Sequence, residues 1–189
     1  MGLLHAYLIP LFWTGYIVYW SAMSKDVKAT ELQEPSASRL ERLAVMLSAI
    51  VLLWFPIRLS LLDGRWLPSG IWCFWAGAVI TACGLSFSVC ARRHLGSNWS
   101  QSVTLKQGHE LITSGPYALV RHPIYTGLIL AFLGTAIDQG QWRGLLAVAL
   151  VFYTLWRKLR MEEQWMRVQF GDSYKTYSRR VAALVPHIV

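Results

Sequence analysis

The sequence predicts an all-α integral membrane protein with five transmembrane helices. Three features carry that expectation. Apolar residues make up 54% of the 189 residues and charged residues 15%, against roughly 25% charge in soluble domains. Apolar runs recur along the chain, several of them near the ~20 residues that a helix needs to cross a bilayer. The basic residues fall mostly on one side of those runs. This composition excludes a disordered tail, a coiled coil and an ordinary soluble enzyme, and the length suits one compact unit.

The first run, residues 3–23, lacks Lys, Arg, Asp and Glu. A cleaved signal peptide would want a basic start and a small-residue cleavage site; the density of Trp and Tyr here favours a span. The second run, 43–62, carries Arg58 near one end, where a long side chain can reach the interface. The third, 70–91, is uncharged and holds all three cysteines, Cys73, Cys83 and Cys90, which read as packing residues rather than disulfide or metal ligands. Two shorter runs, 124–137 and 145–156, flank the polar stretch DQGQWRG. They read as a helical hairpin that extends into polar flanks.

Of the 18 Lys and Arg residues, 15 fall in the segments after the first and third runs and after the last, while Arg58, Arg65 and Arg143 lie on the other side. The positive-inside rule then places the N-terminus outside and the C-terminus in the cytoplasm. The net charge of +8 is thereby read as an orientation signal with some attraction for anionic headgroups. A nucleic-acid footprint would need a soluble basic face, so no nucleic-acid partner is expected.

Aqueous chemistry must then sit in two inner segments. One is the third loop, with His94, His109, Arg121 and His122; the other is the tail from residue 157. There is no GxG, HExxH, P-loop or CxxC, so Rossmann, zincin and thiol chemistries have no motif. The histidines lack metal-ligand spacing, and no metal is expected.

Arg121-His122-Pro123 follows the turn Gly115-Pro116-Tyr117 and opens a span. Pro suits a first helical position, and a guanidinium beside an imidazole can hold a carboxylate or phosphate; an interfacial anchor is the plainer reading. Glu162-Glu163 stands at the inner end of the last span. Ion pairs at i,i+3 with Arg160 and i,i+4 with Arg167 would make it a solvated face, yet adjacent acids in a chain with only ten can also face a cationic ligand. Beyond a turn at Phe170-Gly171-Asp172, Tyr174, Tyr177 and Arg180 recur at a spacing of three. They suit one face of a second helix, either at a site or lying on the bilayer.

Taken together, HELITSGPYALVRHPIYTG (109–127) and EEQWMRVQFGDSYKTYSRRV (162–181), preceded by LGSNWS (95–100), resemble the isoprenylcysteine carboxyl methyltransferase family, which is related to the phospholipid N-methyltransferases. The likeness covers roughly the C-terminal half, and 36–43 is similar to the family's first inner loop. The resemblance implies an integral-membrane methyltransferase using S-adenosylmethionine, whose cofactor site is formed by the third inner loop and the C-terminal helices. Residues 1–91 then supply three spans with an inner loop at 24–42. Residues 92–189 form the catalytic region, with inner loop 92–123, helical hairpin 124–156 and inner helices 157–189.

Carried over from the family, His109, Leu111, Pro116, Tyr117, Arg121, His122, Tyr125, Glu162 and Glu163 would contact the cofactor. Arg180, near Tyr177, would face the methyl acceptor, and Glu163 and Tyr177 join it as catalytic candidates. The implied acceptor is a prenylated cysteine or similar small lipophilic acid reached from membrane lipid, with the active site at the cytoplasmic face. N-methylation of a phospholipid headgroup and S-methylation of a thiol stand beside it. So do an NADPH-dependent membrane reductase of the sterol-reductase type and a non-enzymatic adaptor. Family members often carry Pro and Arg after the Arg-Val pair, where this chain has Ala182 and Ala183.

Overall fold

The computed structural model describes residues 2–23, 36–55, 62–96 and 111–186. Among them the chain is all-helical: α1 (Gly2–Met23), α2 (Ser36–Trp54), α3 (Ile71–Leu95), the single turn α4 (Pro116–Leu119), α5 (Pro123–Gln139) and α6 (Trp142–Arg180). One isolated bridge joins Arg65 and Gln141.

The hairpin expected at 124–156 is formed by α5 and α6, with Gly140 closing α5 by donating its N–H to Ala136. α6 then runs unbroken until Gly171, whose φ of 52° and ψ of −122° interrupt the helix. A positive φ is cheap only for Gly, so the Phe170-Gly171-Asp172 turn sits where the sequence places it. The second helix departs from its apolar run. It begins at Ser36 and ends at Trp54, while Leu62 lies in a turn. Pro56 follows closely, and the residue before a proline is pushed out of the α region.

Of the described helices, α3 is the one long and apolar enough to cross a membrane by length and composition. Large apolar side chains nevertheless point outward around the bundle, among them Leu11, Ile17 and Val18 on α1, Leu40 and Leu47 on α2, and Trp72, 84% exposed, on α3. The helix termini gather at two ends. At one, Arg92 Nη2 donates to Met23 O at 3.0 Å and Arg157 pairs with Glu41. At the other, Arg143 Nη1 donates to Phe55 O at 2.8 Å, and Trp66 N–H donates to Gly140 O at 2.9 Å.

The core is held by one backbone-to-backbone seam. Gly77 and Gly84 of α3 face Gly134 and Gly127 of α5 in antiparallel register. A Cβ on Gly84 would stand 2.5 Å from Gly127 O, and one on Gly77 would stand 2.6 Å from Gly134 O. Small residues let helices approach this closely. Thr81, Ser88 and Thr135 lie buried beside the seam; Thr81 Oγ1 donates across it to Ala131 O at 3.3 Å, and the other two tie α1 to it. Trp13 Nε1 donates to Thr135 Oγ1 at 3.0 Å, and the Tyr16 hydroxyl lies 2.9 Å from Ser88 Oγ.

Gly84→Ala should therefore destabilise the protein by about 1–3 kcal/mol, the usual penalty for overpacking. Gly15→Ala on α1, where no atom lies within 4 Å of the added carbon, should not. Thermal melting in detergent compares the two.

Candidate functional site

The site grows from the loop that ends at Pro123. Gly115 adopts φ of 60°, and a Cβ there would press 2.7 Å from the His94 ring, so glycine is required on both counts. α4 follows with Pro116 at its first position, and it buries Tyr117. Val120 is extended, which delivers Arg121 and His122 to the start of α5.

Here the loop is zipped to the C-terminal segment by backbone bonds. Arg121 N–H donates to Ala182 O at 2.8 Å, and His122 N–H donates to Ala183 O at 3.0 Å. Thr126 Oγ1 adds a bond to Leu184 O at 2.7 Å. Only carbonyls of residues 182 and 183 take part, so the two alanines that replace the family's usual Pro and Arg leave these bonds intact.

Three ion pairs lock the same loop to α6. Arg121 Nε and Nη2 both meet Glu163 Oε1, at 2.8 Å and 2.6 Å. Its Nη1 donates to Ser178 O at 3.0 Å and to Val181 O. The guanidinium is thus fully engaged inside the protein, with 10% of the side chain exposed. The imidazole of His122 stands between the two acids: Nδ1 is 3.5 Å from Glu162 Oε2 and Nε2 is 3.5 Å from Glu163 Oε1. Tyr125 OH donates to Glu162 Oε1 at 2.6 Å, and its ring stacks on His122 with centroids 5.5 Å apart. The Nε2 atom of His122 is buried and makes no hydrogen bond, an unsatisfied group of the kind that marks a site.

The charges follow from this packing. Burial alone would raise the Glu163 carboxyl, but His122 and Arg121 outweigh it and hold it down at about 2. Burial would likewise raise Glu162, and Lys158, His122 and Tyr125 bring it below the usual value. Burial would lower His122, yet the two facing carboxylates raise it above 6.5. Burial lifts Tyr177 to about 12. Its hydroxyl donates to Tyr117 O at 2.6 Å, so it stays protonated and holds α4 in place.

The structure brings together Tyr117, Arg121, His122, Tyr125, Glu162, Glu163 and Tyr177, with Pro116 opening α4 and Leu111 on the loop before it. His109 lies outside the described residues. Arg180 is exposed and is not joined to this cluster. Tyr174 and Tyr177 are buried against the loop, so this face of the last helix packs inward rather than onto a bilayer. Arg167 meets Glu163 Oε2 at 3.5 Å as expected for i,i+4, whereas Arg160 lies over the Trp156 ring. One contributor, Lys158, was missing from the sequence reading, and His94 was named there only as a residue of the third loop. Lys158 stands 3.7 Å from Glu162 Oε1 and over the Tyr125 ring; its i,i+4 spacing to Glu162 was the available signal. His94 accompanies Ser114 at 2.9 Å and packs on Tyr117, a long-range contact with no sequence signal.

The phospholipid methyltransferase family matches residues 72–173, which include the seam helices, the loop and both glutamates. The chain belongs to the phospholipid methyltransferase family. Within it, the chain is similar to protein-S-isoprenylcysteine O-methyltransferases. That of Schizosaccharomyces pombe is 35% identical over 96 residues, 49% of this chain and 41% of the relative. A probable one from Oryza sativa subsp. indica is 33% identical over 112 residues, 59% of this chain and 53% of the relative. That of Xenopus laevis is 32% identical over 120 residues, 62% of this chain and 42% of the relative. The chain therefore spans about half the length of these relatives, and the isoprenylcysteine methyltransferase resemblance seen in its motifs is confirmed.

Arg121→Ala should destabilise the protein by about 3–5 kcal/mol, the usual result of leaving one partner of a buried pair uncompensated. It should also expose residues 181–186 to protease, as limited proteolysis would show. A pH prediction follows from the two shifts. Glu163, lowered from 4.5 to about 2, contributes stability that is present above pH 4.5 and lost as pH falls towards 2. His122, raised from 6.5, contributes stability that is full below pH 6.5 and lost as pH rises through its folded value. Melting temperature should accordingly plateau between these limits, and His122→Ala should flatten the alkaline decline.

Proposed function

We propose that the protein is an integral-membrane methyltransferase that uses S-adenosylmethionine to esterify the carboxylate of a prenylated cysteine or a similar small lipophilic acid. The observation that carries this reading is the buried cluster of Arg121, His122, Tyr125, Glu162 and Glu163. It joins the two sequence segments that resemble the family and holds two ionised carboxylates with an unsatisfied imidazole nitrogen between them. Family membership and the names of the relatives support the reaction class. They also favour a methyltransferase over an NADPH reductase or an adaptor.

The donor set fits the cofactor. Glu162 and Glu163 suit an amine or ribose hydroxyls and offset positive charge, while the His122 and Tyr125 rings, with Tyr117 nearby, suit a sulfonium or an adenine. Arg121 is better described as a positioning residue, because its donors already serve Glu163 and two carbonyls. Held by these residues, the cofactor would supply an electrophilic methyl group, with a C–O bond formed as the C–S bond breaks, the electron pair left on sulfur and no proton moved. A carboxylate acceptor, with a reference pKa of about 4, is ionised at neutral pH and needs no base. The residues therefore have to align and to exclude water, and orientation of this kind can supply roughly 7–11 kcal/mol.

Five spans, an outer N-terminus and a cytoplasmic C-terminus belong to the same proposal. The outward apolar side chains of α1 to α3 and the gathering of helix termini at two ends support it. In that orientation the cluster lies at the cytoplasmic end, where a soluble cofactor arrives, and the acceptor comes from lipid.

Calorimetric titration of the detergent-solubilised protein with S-adenosylhomocysteine should show saturable binding. His122→Ala and Glu163→Ala should each weaken it at least about tenfold, the loss expected of one charge-assisted contact. Arg180→Ala should lower turnover with little change in that affinity. Labelled methyl transferred to the acceptor should be released by mild base, as an ester is and an N-methyl or thioether product is not.

A further inference from the structure

Between α2 and α6, at the end of the bundle that carries the candidate site, lies a cavity of about 140 Å³. Ser38, Glu41 and Arg42 of α2 and Tyr153, Arg157 and Lys158 of α6 line it. It is smaller than the ~300–1,000 Å³ of most small-molecule sites, so it suits a compact group such as a phosphate rather than a whole nucleotide.

Three cations meet one acid in this lining. Arg157 pairs with Glu41, but both side chains are about half exposed, so the pair stays open to a third partner. Lys158 is more enclosed: 15% of its side chain is exposed, and its ammonium stands 3.7 Å from Glu162 Oε1. It belongs to the pocket and to the candidate site at once. Even with Glu162 counted, the cations exceed the acids by one, and an anion completes the charge. Towards the opposite end of α6, an apolar stripe continues the face of Arg157. Leu146, Leu150 and Tyr153 precede it at spacings of four and three residues, which places them on one side of the helix. Leu146 and Tyr153 are exposed, and the Arg157 guanidinium lies over the Tyr153 ring, 5.8 Å from its centroid.

We propose that this pocket holds the phosphate of an anionic membrane phospholipid, with an acyl chain along the α6 stripe, and that Lys158 ties its occupancy to the candidate site. Basic pockets between helices at a membrane surface take such headgroups. A zwitterionic phospholipid brings its own cation and leaves the excess charge in place, and free phosphate leaves the stripe bare. Once bound, the phosphate shares the Lys158 ammonium with Glu162. The site then becomes more negative and holds a cationic ligand more tightly. The pocket rests on the membrane-spanning reading, and the coupling rests on the methyltransferase reading, in which that ligand is S-adenosylmethionine.

Native mass spectrometry of the detergent-solubilised full chain, titrated with phosphatidylglycerol, reads the pocket without any activity. The first phosphatidylglycerol should bind at least about tenfold more tightly than phosphatidylcholine with the same acyl chains, the worth of one charge-assisted contact. Arg42→Gln and Arg157→Gln should each remove most of that preference. Arg39→Gln, an exposed charge on the same helix outside the lining, should leave it within about twofold, as weak surface attraction allows. Equal binding of the two lipids, a preference retained in Arg42→Gln and Arg157→Gln, or an equal loss in Arg39→Gln overturns the pocket. Displacement of phosphatidylglycerol by equimolar inorganic phosphate overturns the lipid as its source. Calorimetry with and without saturating phosphatidylglycerol then reads the coupling. Affinity for S-adenosylmethionine should rise about fivefold or more, an ordinary coupling between two sites, and affinity for S-adenosylhomocysteine, whose sulfur is uncharged, should rise less. Unchanged or weaker binding of S-adenosylmethionine overturns the coupling. If neither ligand binds with or without the lipid, the methyltransferase reading has failed, and the pocket stands or falls on lipid binding alone.

Discussion

The site depends on one desolvated ion pair. Arg121 and Glu163 come from elements 42 residues apart and meet through two contacts to a single carboxylate oxygen, with about a tenth of either side chain exposed. Buried charges are tolerated only when their remaining donors and acceptors are satisfied. Arg121 meets that condition by giving its third nitrogen to the carbonyls of Ser178 and Val181. One guanidinium thus fixes the α6 helix, its terminal segment and the loop before α5 in a single arrangement. The other polar features follow from it, because Glu163 must be ionised and His122 must sit between two acids.

That arrangement needs a rigid base, which the α3–α5 seam provides. Backbone carbonyls 2.5–2.6 Å from the carbon that a side chain would add leave the two helices almost no freedom to slide. α5 begins at Pro123, so the register set by Gly127 and Gly134 is transmitted directly to His122 and Tyr125. A rigid seam placed immediately behind a polar cluster suits chemistry that relies on alignment rather than on proton transfer.

Much of this was legible in the chain. Apolar runs located the long helices, and DQGQWRG located the hairpin turn. Gly171 marked the break in α6, because only a residue without Cβ accepts its backbone angles cheaply. The pairing of the Arg-His-Pro segment with Glu162-Glu163 was implied by family likeness, not by spacing. Other features had no local signal. Arg121 spends its third nitrogen on the carbonyls of Ser178 and Val181, which any residue can supply, so that part of its positioning role cannot be read from residue types. The seam is half visible: Gly77 and Gly84 share a seven-residue spacing with Gly127 and Gly134, but which pair meets which depends on the fold. The second helix was displaced because hydropathy reports burial and not where the backbone stops being helical. Its amphipathic first turns and the following Pro56 decide its limits.

The central claim is that the cluster around His122 is where the methyl donor is held. The most direct measurement is a carbon-13 NMR titration of protein labelled at its five histidines, with the His122 signal assigned by its loss in His122→Gln. Addition of S-adenosylhomocysteine should move that resonance saturably, with the same midpoint as binding measured on the bulk sample. A His122 resonance that stays in place while the ligand saturates would put the donor elsewhere and contradict the account.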